Sequence, residues 1–443
     1  MTEPSGETAP WPSARLGWIA VFLLSLAGVA SYLDRVVIGL LVEPMKADFG
    51  LSDTGFAMLQ GLAFGLFYTL FAFPVGRLAD SYSRRRIIMA GLGIFSLFSI
   101  ASGLSRHYWQ IFLARTGVGI GEASLTPAAY SMLSDYFPPT KLGRALGAFT
   151  TSAYLGMGLA FVLGGAVIGW LSAPGGLDWW GLGDHKPWQV AFMIVGAPGL
   201  LLLIPLHFLL KEPARRGVVG AAKAIPLGQV CKALWGRRRF LLPMFAGFAM
   251  VTLPGYAGVT WTPAMFIRVF GWSPAQIGLW YGAIYMVFGM GGVYFGGWFC
   301  DRMTARGVLD APLRLSAYGF IGFAIFGTLG PLMPDPYIAL AMMAVALFFG
   351  TIPYPLAGAA IQLVTPNQMR GQTSAVYLTI INLVGLGLGP ILVGLFTDHV
   401  FTEPSDVRYS LATLNAIAAP LAIGLLLWAA GPYRRFRAEL SQG

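Results

Sequence analysis

Residues 76–86 read GRLADSYSRRR, and a related stretch, GWFCD followed by Arg302 and Arg306, begins at residue 297. The Gly, the Asp and one Arg of the first stretch each recur 221 residues later. Both stretches end a long apolar run and begin a basic one. A repeat at about half the chain length predicts two halves of similar architecture.

Apolar runs long enough to cross a membrane fill both halves. A spanning helix needs about 20 apolar residues, and the 443 residues contain twelve such runs, six on each side of a basic stretch at 211–239. The fourth run, 109–134, contains Pro127, which is a candidate kink site. The sequence therefore predicts an all-α integral membrane protein with twelve transmembrane helices in two pseudo-symmetric six-helix bundles.

The composition also indicates a membrane protein, and the positions of the basic residues indicate its orientation. Hydrophobic residues make up 56% of the chain and charged residues 11%, whereas a soluble domain carries about 25% charged residues, so a soluble enzyme is excluded. The 29 Lys and Arg residues exceed the 19 Asp and Glu residues and give a net charge of +10. Five of the 29 fall in the connections on one side of the predicted membrane and nearly all others on the other side. Because basic loops stay in the cytosol, we expect an inner-membrane protein with cytosolic termini and no nucleic-acid partner.

The basic stretch also sets the domain boundaries. Its charge and its mid-chain position predict a cytosolic linker that either contacts anionic membrane lipids or is simply solvated. The predicted segments are a cytosolic N-terminal segment at 1–15, a six-helix bundle at 16–210, the linker at 211–239, a second six-helix bundle at 240–431 and a cytosolic tail at 432–443.

Four ionisable residues lie inside the predicted spans: Asp34 and Arg35 in the first, Arg115 and Glu122 in the fourth. Such residues are costly in a bilayer and are candidates for function. At about 1.5 Å per residue, Asp34 lies about 12 Å and Arg115 about 9 Å from the same membrane face, so we expect them to pair. Glu122 lies about 20 Å deep with no cation obviously beside it, and desolvation favours its protonated form. Proton coupling through Glu122 is one interpretation, and a static buried ion-pair network is the other.

The second half has no ionisable residue deep in a predicted span. Aromatic residues in helices often serve packing alone, but neutral residues are the candidates for that side of a substrate cavity. They are Tyr256, Thr260, Trp261, Tyr354, Gln362, Tyr377 and Asn382. A cavity with one charged and one aromatic wall suits an amphiphile with a charged head better than a sugar.

The stretch at 76–86 resembles the loop motif between helices two and three of the major facilitator superfamily, with Ser81 and Ser83 as departures. Together with the twelve spans and the basic linker, this resemblance covers nearly the whole chain. It implies a latch that joins the two halves on the cytosolic side. The residues it assigns to this latch are Gly76, Asp80, Arg84, Arg85, Arg86 and Asp301. The alternative is that the arginines only orient the chain.

Two further motifs narrow the resemblance. SYLDR at 31–35 and RTGVGIGEA at 115–123 are similar to the Spinster branch of the same superfamily. That resemblance implies lipid transport coupled to protons, with Asp34 and Glu122 as the proton sites. It implies that Arg115 and Arg35 are charge partners or head-group contacts, with Tyr32 beside them.

The sequence thus predicts a proton-coupled transporter of an amphipathic, anionic or zwitterionic substrate, working by alternating access. We keep as alternatives a multidrug/proton antiporter, a small organic anion transporter and a membrane sensor that does not transport. The four histidines lack metal-ligand spacing, so an enzyme, a metal site and a cofactor are not expected. The expected partners are protons, the amphiphile and membrane lipids, and the expected state is a monomer.

Overall fold

The computed structural model describes residues 11–177, 183–215, 232, 234–365 and 369–442, without the side chains of Asp80, Pro139, Ser441 and Gln442. All regular elements in these ranges are helices. Helix α4 has two parts, Tyr108–Glu122 and Leu125–Tyr136. Eleven further helices are long and apolar enough to span a membrane: α1 (Ala14–Leu40), α2 (Asp53–Ala79), α3 (Arg84–Gly103), α5 (Thr140–Leu171), α6 (Pro187–Leu209), α7 (Arg238–Phe270), α8 (Pro274–Ala305), α9 (Ala311–Leu332), α10 (Pro336–Val364), α11 (Gln372–Phe401) and α12 (Pro404–Leu440).

The fourth predicted span is therefore present, but as a broken helix. The break falls at Ala123 and Ser124, directly after Glu122. Pro127 explains its position, because the proline has no N–H to donate and its ring clashes with the carbonyl four residues earlier, that of Ala123.

Helix ends follow local sequence. The Ser13 hydroxyl caps α1 by accepting the Leu16 N–H at 3.4 Å, and the Ser273 hydroxyl caps α8 by accepting the Gln276 N–H at 3.1 Å. Helix α7 ends at Gly271, whose φ of 67° is the left-handed conformation that glycine adopts without strain.

Three helices contain π-helical segments in their interior: Leu59–Leu66 in α2, Tyr285–Gly289 in α8 and Asn382–Leu388 in α11. The segments of α2 and α11 pack against each other across the two halves. A Cβ atom at Gly61 would lie 2.2 Å from the carbonyl oxygen of Gly387, so only glycine permits this approach. Such segments often occur at functional sites because they widen the helix locally.

The apolar core differs between the two ends of the bundle. We call the end where α1 begins and where Arg84–Arg86 lie the basic end, and the other the opposite end. Near the opposite end one buried cluster contains residues of both halves, such as Phe56 and Phe161 with Trp261 and Phe266. Toward the basic end the main clusters belong almost wholly to one half each. The two halves are therefore joined chiefly at the opposite end.

The predicted terminal and linker segments are described only in part. Residues 1–10 and most of the predicted linker, 216–231 and 233, lie outside the described residues. The predicted tail begins as a continuation of the last span, since one helix runs over Val407–Gln442.

Candidate functional site

The predicted ion pair between α1 and α4 is present in the structure. A guanidinium nitrogen of Arg115 donates to one Asp34 carboxylate oxygen at 2.5 Å, and the Ser99 hydroxyl of α3 donates to the other at 2.5 Å. Both charged side chains are fully buried. Because each charge has a close partner, the pair can persist in a dry interior.

Glu122 also has a cation beside it, and the expectation that it would not is wrong. Arg35 Nε donates to Glu122 Oε2 at 2.6 Å. The two Cα atoms differ in depth, but side chains on a helix lean toward its N-terminus. Helix α1 starts at the basic end and α4 at the opposite end, so Arg35 and Glu122 lean toward each other.

Arg35 is the one charged member of these two pairs that keeps measurable exposure, with 13% of its side chain accessible. Its guanidinium lies over the ring of Tyr68, 4.6 Å from the centroid, and over that of Tyr32 at 5.6 Å. The backbone carbonyl of Arg35 accepts a hydrogen bond from Gln60 at 3.2 Å. Arg35 therefore links the buried carboxyl of Glu122 to the space between the halves.

Glycines of the 115–123 motif allow this packing. A Cβ at Gly119 would lie 2.6 Å from the carbonyl oxygen of Phe64 in α2, and one at Gly121 would lie 2.5 Å from the amide nitrogen of Phe95 in α3. Helix α4 thus approaches α2 and α3 closely enough to bury its two charged residues among them.

Tyrosines of both halves face the space next to Arg35. Tyr32 of α1, Tyr154 of α5, Tyr256 of α7 and Tyr354 of α10 lie within electrostatic reach of one another. These four are at least partly exposed. Tyr377 of α11 also interacts with Tyr354 and Tyr256, but its ring is buried against Phe245 and Phe248. Of the neutral residues predicted for the second half, Tyr256 and Tyr354 therefore lie beside this space, next to Tyr32 of the first half.

Trp261 lies elsewhere in this conformation. Its ring is fully buried and its indole N–H donates to the Pro390 carbonyl at 2.9 Å. The Arg268 guanidinium lies 5.5 Å from its ring centroid. Neighbouring Thr260 is buried as well. Trp261 therefore stabilises the closed opposite end of the bundle and does not line the tyrosine-lined space.

Ser99, Gln60, Tyr68 and Tyr154 were not predicted. One pattern could have found Ser99: Ser96, Ser99 and Ser102 repeat at a spacing of three on α3, and all are buried. The tyrosines carry no comparable pattern, since partly exposed aromatic residues occur throughout the chain.

The basic motif makes its described contacts with the N-terminal half and the start of the linker. The buried Arg84 bonds Glu212 at 2.8 Å, contacts Asp135 and donates to the Ser131 carbonyl at 3.0 Å. The Arg85 amide donates to Glu212 at 2.9 Å, and its guanidinium donates to the His207 carbonyl. The latch between halves is thus not formed by these two arginines here.

The other predicted latch residues add no described bond between halves. Gly76 lies 3.9 Å, measured from an added Cβ, from Pro127 within the same half. Arg86 and Asp301 are exposed, and the side chain of Asp80 lies outside the described part of the structure. A latch at the basic end remains a prediction, and it concerns a conformation in which the two halves meet at that end.

Charges do join the halves at the opposite end, which the sequence did not reveal. Arg268 of α7 bonds both carboxylate oxygens of Asp53 in α2, each at 2.7 Å, and Glu43 at 2.6 Å. The Asp398 carboxylate of α11 accepts the backbone N–H groups of Asp53 at 3.0 Å and Thr54 at 2.7 Å. We call these contacts the cross-half network.

Within the described residues, no group of three His, Cys, Asp or Glu side chains is placed to hold a metal ion. The charged groups at the site form two buried ion pairs, Asp34 with Arg115 and Glu122 with Arg35.

Comparison with known proteins gives consistent matches. The Major Facilitator Superfamily model matches residues 24–390. An MFS-type efflux pump of Mycolicibacterium smegmatis is 28% identical over 437 residues, 95% of this chain and 94% of that protein. Protein spinster homolog 1 of Xenopus tropicalis is 26% identical over 402 residues, 86% of this chain and 73% of that protein. The crystal structure of a bacterial homolog to the human lysosomal transporter Spinster, inward-facing and unoccupied, has a TM-score of 0.78 at 25% identity, covering 96% of this chain and 98% of that one.

Proposed function

The chain belongs to the Major Facilitator Superfamily of secondary transporters, and from this membership we propose that protons drive its transport of an amphipathic, lipid-like substrate. The predicted resemblance to Spinster proteins is confirmed. One observation carries the proposal: the buried carboxyl of Glu122 is bonded to Arg35, which reaches the space between the halves.

Glu122 is the proposed proton site. While it is ionised, Arg35 is neutralised by the bond at 2.6 Å. When Glu122 takes a proton, Arg35 loses its charged partner and an anionic head group can replace it. Protonation and head-group binding are therefore coupled through one guanidinium, and Asp34 with Arg115 forms a second, fully buried pair next to it.

The two walls of the space favour an amphiphile. The N-terminal wall offers Arg35, which suits a phosphate or carboxylate head group. The C-terminal wall offers Tyr256 and Tyr354, whose rings suit an alkyl tail and whose hydroxyls can each donate one hydrogen bond. A sugar would need several neutral polar partners in place of these rings.

Replacing Glu122 tests the proposal. In proteoliposomes, a fluorescent lysophospholipid is offered with and without a pH gradient. We expect Glu122→Gln to abolish the response of flux to the gradient and to leave exchange without a gradient, because Gln keeps the shape but cannot gain or lose a proton. Glu439→Gln, the same change at an exposed site near the end of α12, is the matched control. Flux in Glu122→Gln that still follows the gradient as in the wild type would refute the proton site.

A multidrug/proton antiporter is the second candidate, because an efflux pump is among the related proteins. The partly buried guanidinium of Arg35 disfavours cationic drugs next to it when Glu122 is protonated. Transport of a cationic dye that the lysophospholipid does not inhibit would favour the antiporter. Competition between an anionic amphiphile and the lysophospholipid would favour the proposed substrate class.

We also propose an inner-membrane monomer with both termini in the cytosol. The basic loops at the end where α1 begins support this orientation. A single cysteine at the exposed Arg306, in a background without Cys231 and Cys300, should react with an impermeant thiol reagent only in inverted vesicles. Labelling in right-side-out cells would reverse the orientation.

A further inference from the structure

The ring of Phe64 lies close to both arginines of the buried ion pairs. Its centroid is 5.0 Å from the guanidinium carbon of Arg35 and 5.3 Å from that of Arg115. Both distances are within the range of a cation–π interaction. One ring therefore faces two cations, each of which is bonded to a different carboxylate.

The position of this ring is fixed by its helix. Phe64 belongs to the π-helical segment of α2 and is fully buried. Its backbone lies against Gly119 of α4, and its ring stacks on Tyr68 with a centroid distance of 5.8 Å. The flanking Gly61 and Gly65 pack on Leu386 and Gly387 of α11. Phe64 is thus held from both halves of the protein.

Arg115 depends on aromatic faces for part of its surroundings. Its Nε and one terminal nitrogen are buried without a hydrogen-bond partner. Its guanidinium carbon lies 5.8 Å from the ring centroid of Phe192, in addition to Phe64 on another side. The negative faces of these rings take the place of missing acceptors.

We propose that Phe64 is a positioning residue that separates the two ion pairs and keeps each arginine on its own carboxylate. A hydrogen-bond acceptor in this place would compete with Asp34 or Glu122 for the arginines, and an aliphatic side chain would attract neither cation. The inference rests on the proposed function, because it concerns the carboxyl that we propose as the proton site.

The charged and titratable groups around Glu122 come from α1, α2, α4 and α7. Helix α3 presents the apolar Ile88, Leu92 and Phe95 to it. The groups that act on Glu122 directly, through Arg35 or through Asp34 are Asp34, Arg35, Tyr32, Tyr68, Arg115 and Tyr256. Among these, only Arg35 is bonded to Glu122 as a cation, so its placement decides how firmly Glu122 holds its charge.

Fluorination of the ring tests the proposal. Phenylalanines with one to three ring fluorines, incorporated at position 64, keep the ring's shape but withdraw electrons from its face. Spin labels at the exposed Lys141 and Arg306, in a background without Cys231 and Cys300, report the distance between the halves at the basic end as the pH is varied. We expect the midpoint pH of the change to rise stepwise with fluorine number, by up to about one pH unit, because a looser Arg35 lets Glu122 keep its proton to higher pH.

Phe64→Leu removes the ring, and we expect it to raise the midpoint pH at least as far as the most fluorinated ring does. Phe137→Leu is the matched control, because Phe137 is also buried in the N-terminal half but contacts Trp18 and Gly17. A transition that needs Glu122 but does not move with fluorination would overturn the role of Phe64 alone. A transition that survives Glu122→Gln, or the absence of any transition, would overturn the proton site and this inference together.

Discussion

The charged networks at the two ends of the bundle each contain a buried arginine bonded to two acids. One network connects the two halves, and the other does not. At the opposite end, Arg268 bonds Asp53 and Glu43, so a cation of one half holds two acids of the other. At the basic end, Arg84 bonds Asp135 of the N-terminal half and Glu212 at the start of the linker, and neither acid belongs to the C-terminal half. Both arginines are almost completely buried.

This difference shows which end can open. Separation of the halves at the opposite end must break charged hydrogen bonds and expose an apolar core that both halves share. Separation at the basic end leaves the network of Arg84 intact. The motif arginines therefore bond within one half and the start of the linker in this conformation, and the halves are held together at the opposite end by the cross-half network and the shared apolar core.

Asp53→Asn is the variant from which we expect the largest effect on the closure of the opposite end. It removes the charge that Arg268 bonds through two oxygens and that Lys46 also contacts. Loss of one partner of a buried pair costs about 3 kcal/mol or more, so we expect the ratio of open to closed forms at the opposite end to rise about 100-fold. Spin labels at the exposed Arg106 and Pro334 measure it.

Asp48→Asn is the control for that experiment. Asp48 lies at the same end but bonds Lys186 and contacts Trp188 within its own half. It should leave the distance between the halves unchanged. An equal shift in both variants would mean that surface charge, and not the cross-half network, keeps this end closed.

A smaller effect is expected from Asp398→Ala. Its carboxylate accepts the first two N–H groups of α2, and loss of such a cap costs about 1 kcal/mol. The same labels should show a shift of about fivefold toward the open form. His399→Ala, an exposed neighbour, should show none. If Asp398→Ala caused no shift, the bonds of Arg268 to Asp53 and Glu43 would account for the closure without Asp398.

The smallest effect concerns pH and the basic end. Burial alone would raise the pKa of Glu212, but hydrogen bonds from the Arg85 amide, Arg84 and Ser83 outweigh it and lower the pKa below its ordinary value. A lowered folded-state pKa means that its stabilisation is present at neutral pH and is lost as the pH falls below about 4. We expect the melting temperature to fall in that range, and less so in Glu212→Gln. Label distances between the halves should not respond to Glu212→Gln at neutral pH.

The sequence predicted most of the fold and half of the buried charge geometry. Counting residues along two helices was enough to pair Asp34 with Arg115, because both side chains start at a similar depth. The same counting failed for Arg35 and Glu122, since it ignored the lean of side chains along each helix. The broken α4 follows from Pro127, whose effect on the preceding turn is local.

Contacts between the halves could not be predicted in the same way. Asp53 and Arg268 are 215 residues apart, and only the packing of α2 beside α7 brings them together. Trp261 carried no sign of whether it faced a cavity or a core, because a buried and a ligand-facing aromatic residue look alike in one sequence. The sequence motif at 76–86 indicated the fold but not the conformation.

The start of the mid-chain linker has a practical consequence for dividing the protein. Lys211 to Arg215 are bound to the N-terminal half: Tyr136 contacts the Lys211 carbonyl, Glu212 caps α3, and Arg215 donates to the Ala79 carbonyl at 2.8 Å. A fragment that stops at the end of α6 would lose these contacts, and Arg84 would keep Asp135 as its acidic partner but not Glu212. A division into two co-expressed fragments, or the insertion of a reporter domain, should therefore be made after Arg215. The first fragment then keeps the contacts of Lys211, Glu212 and Arg215.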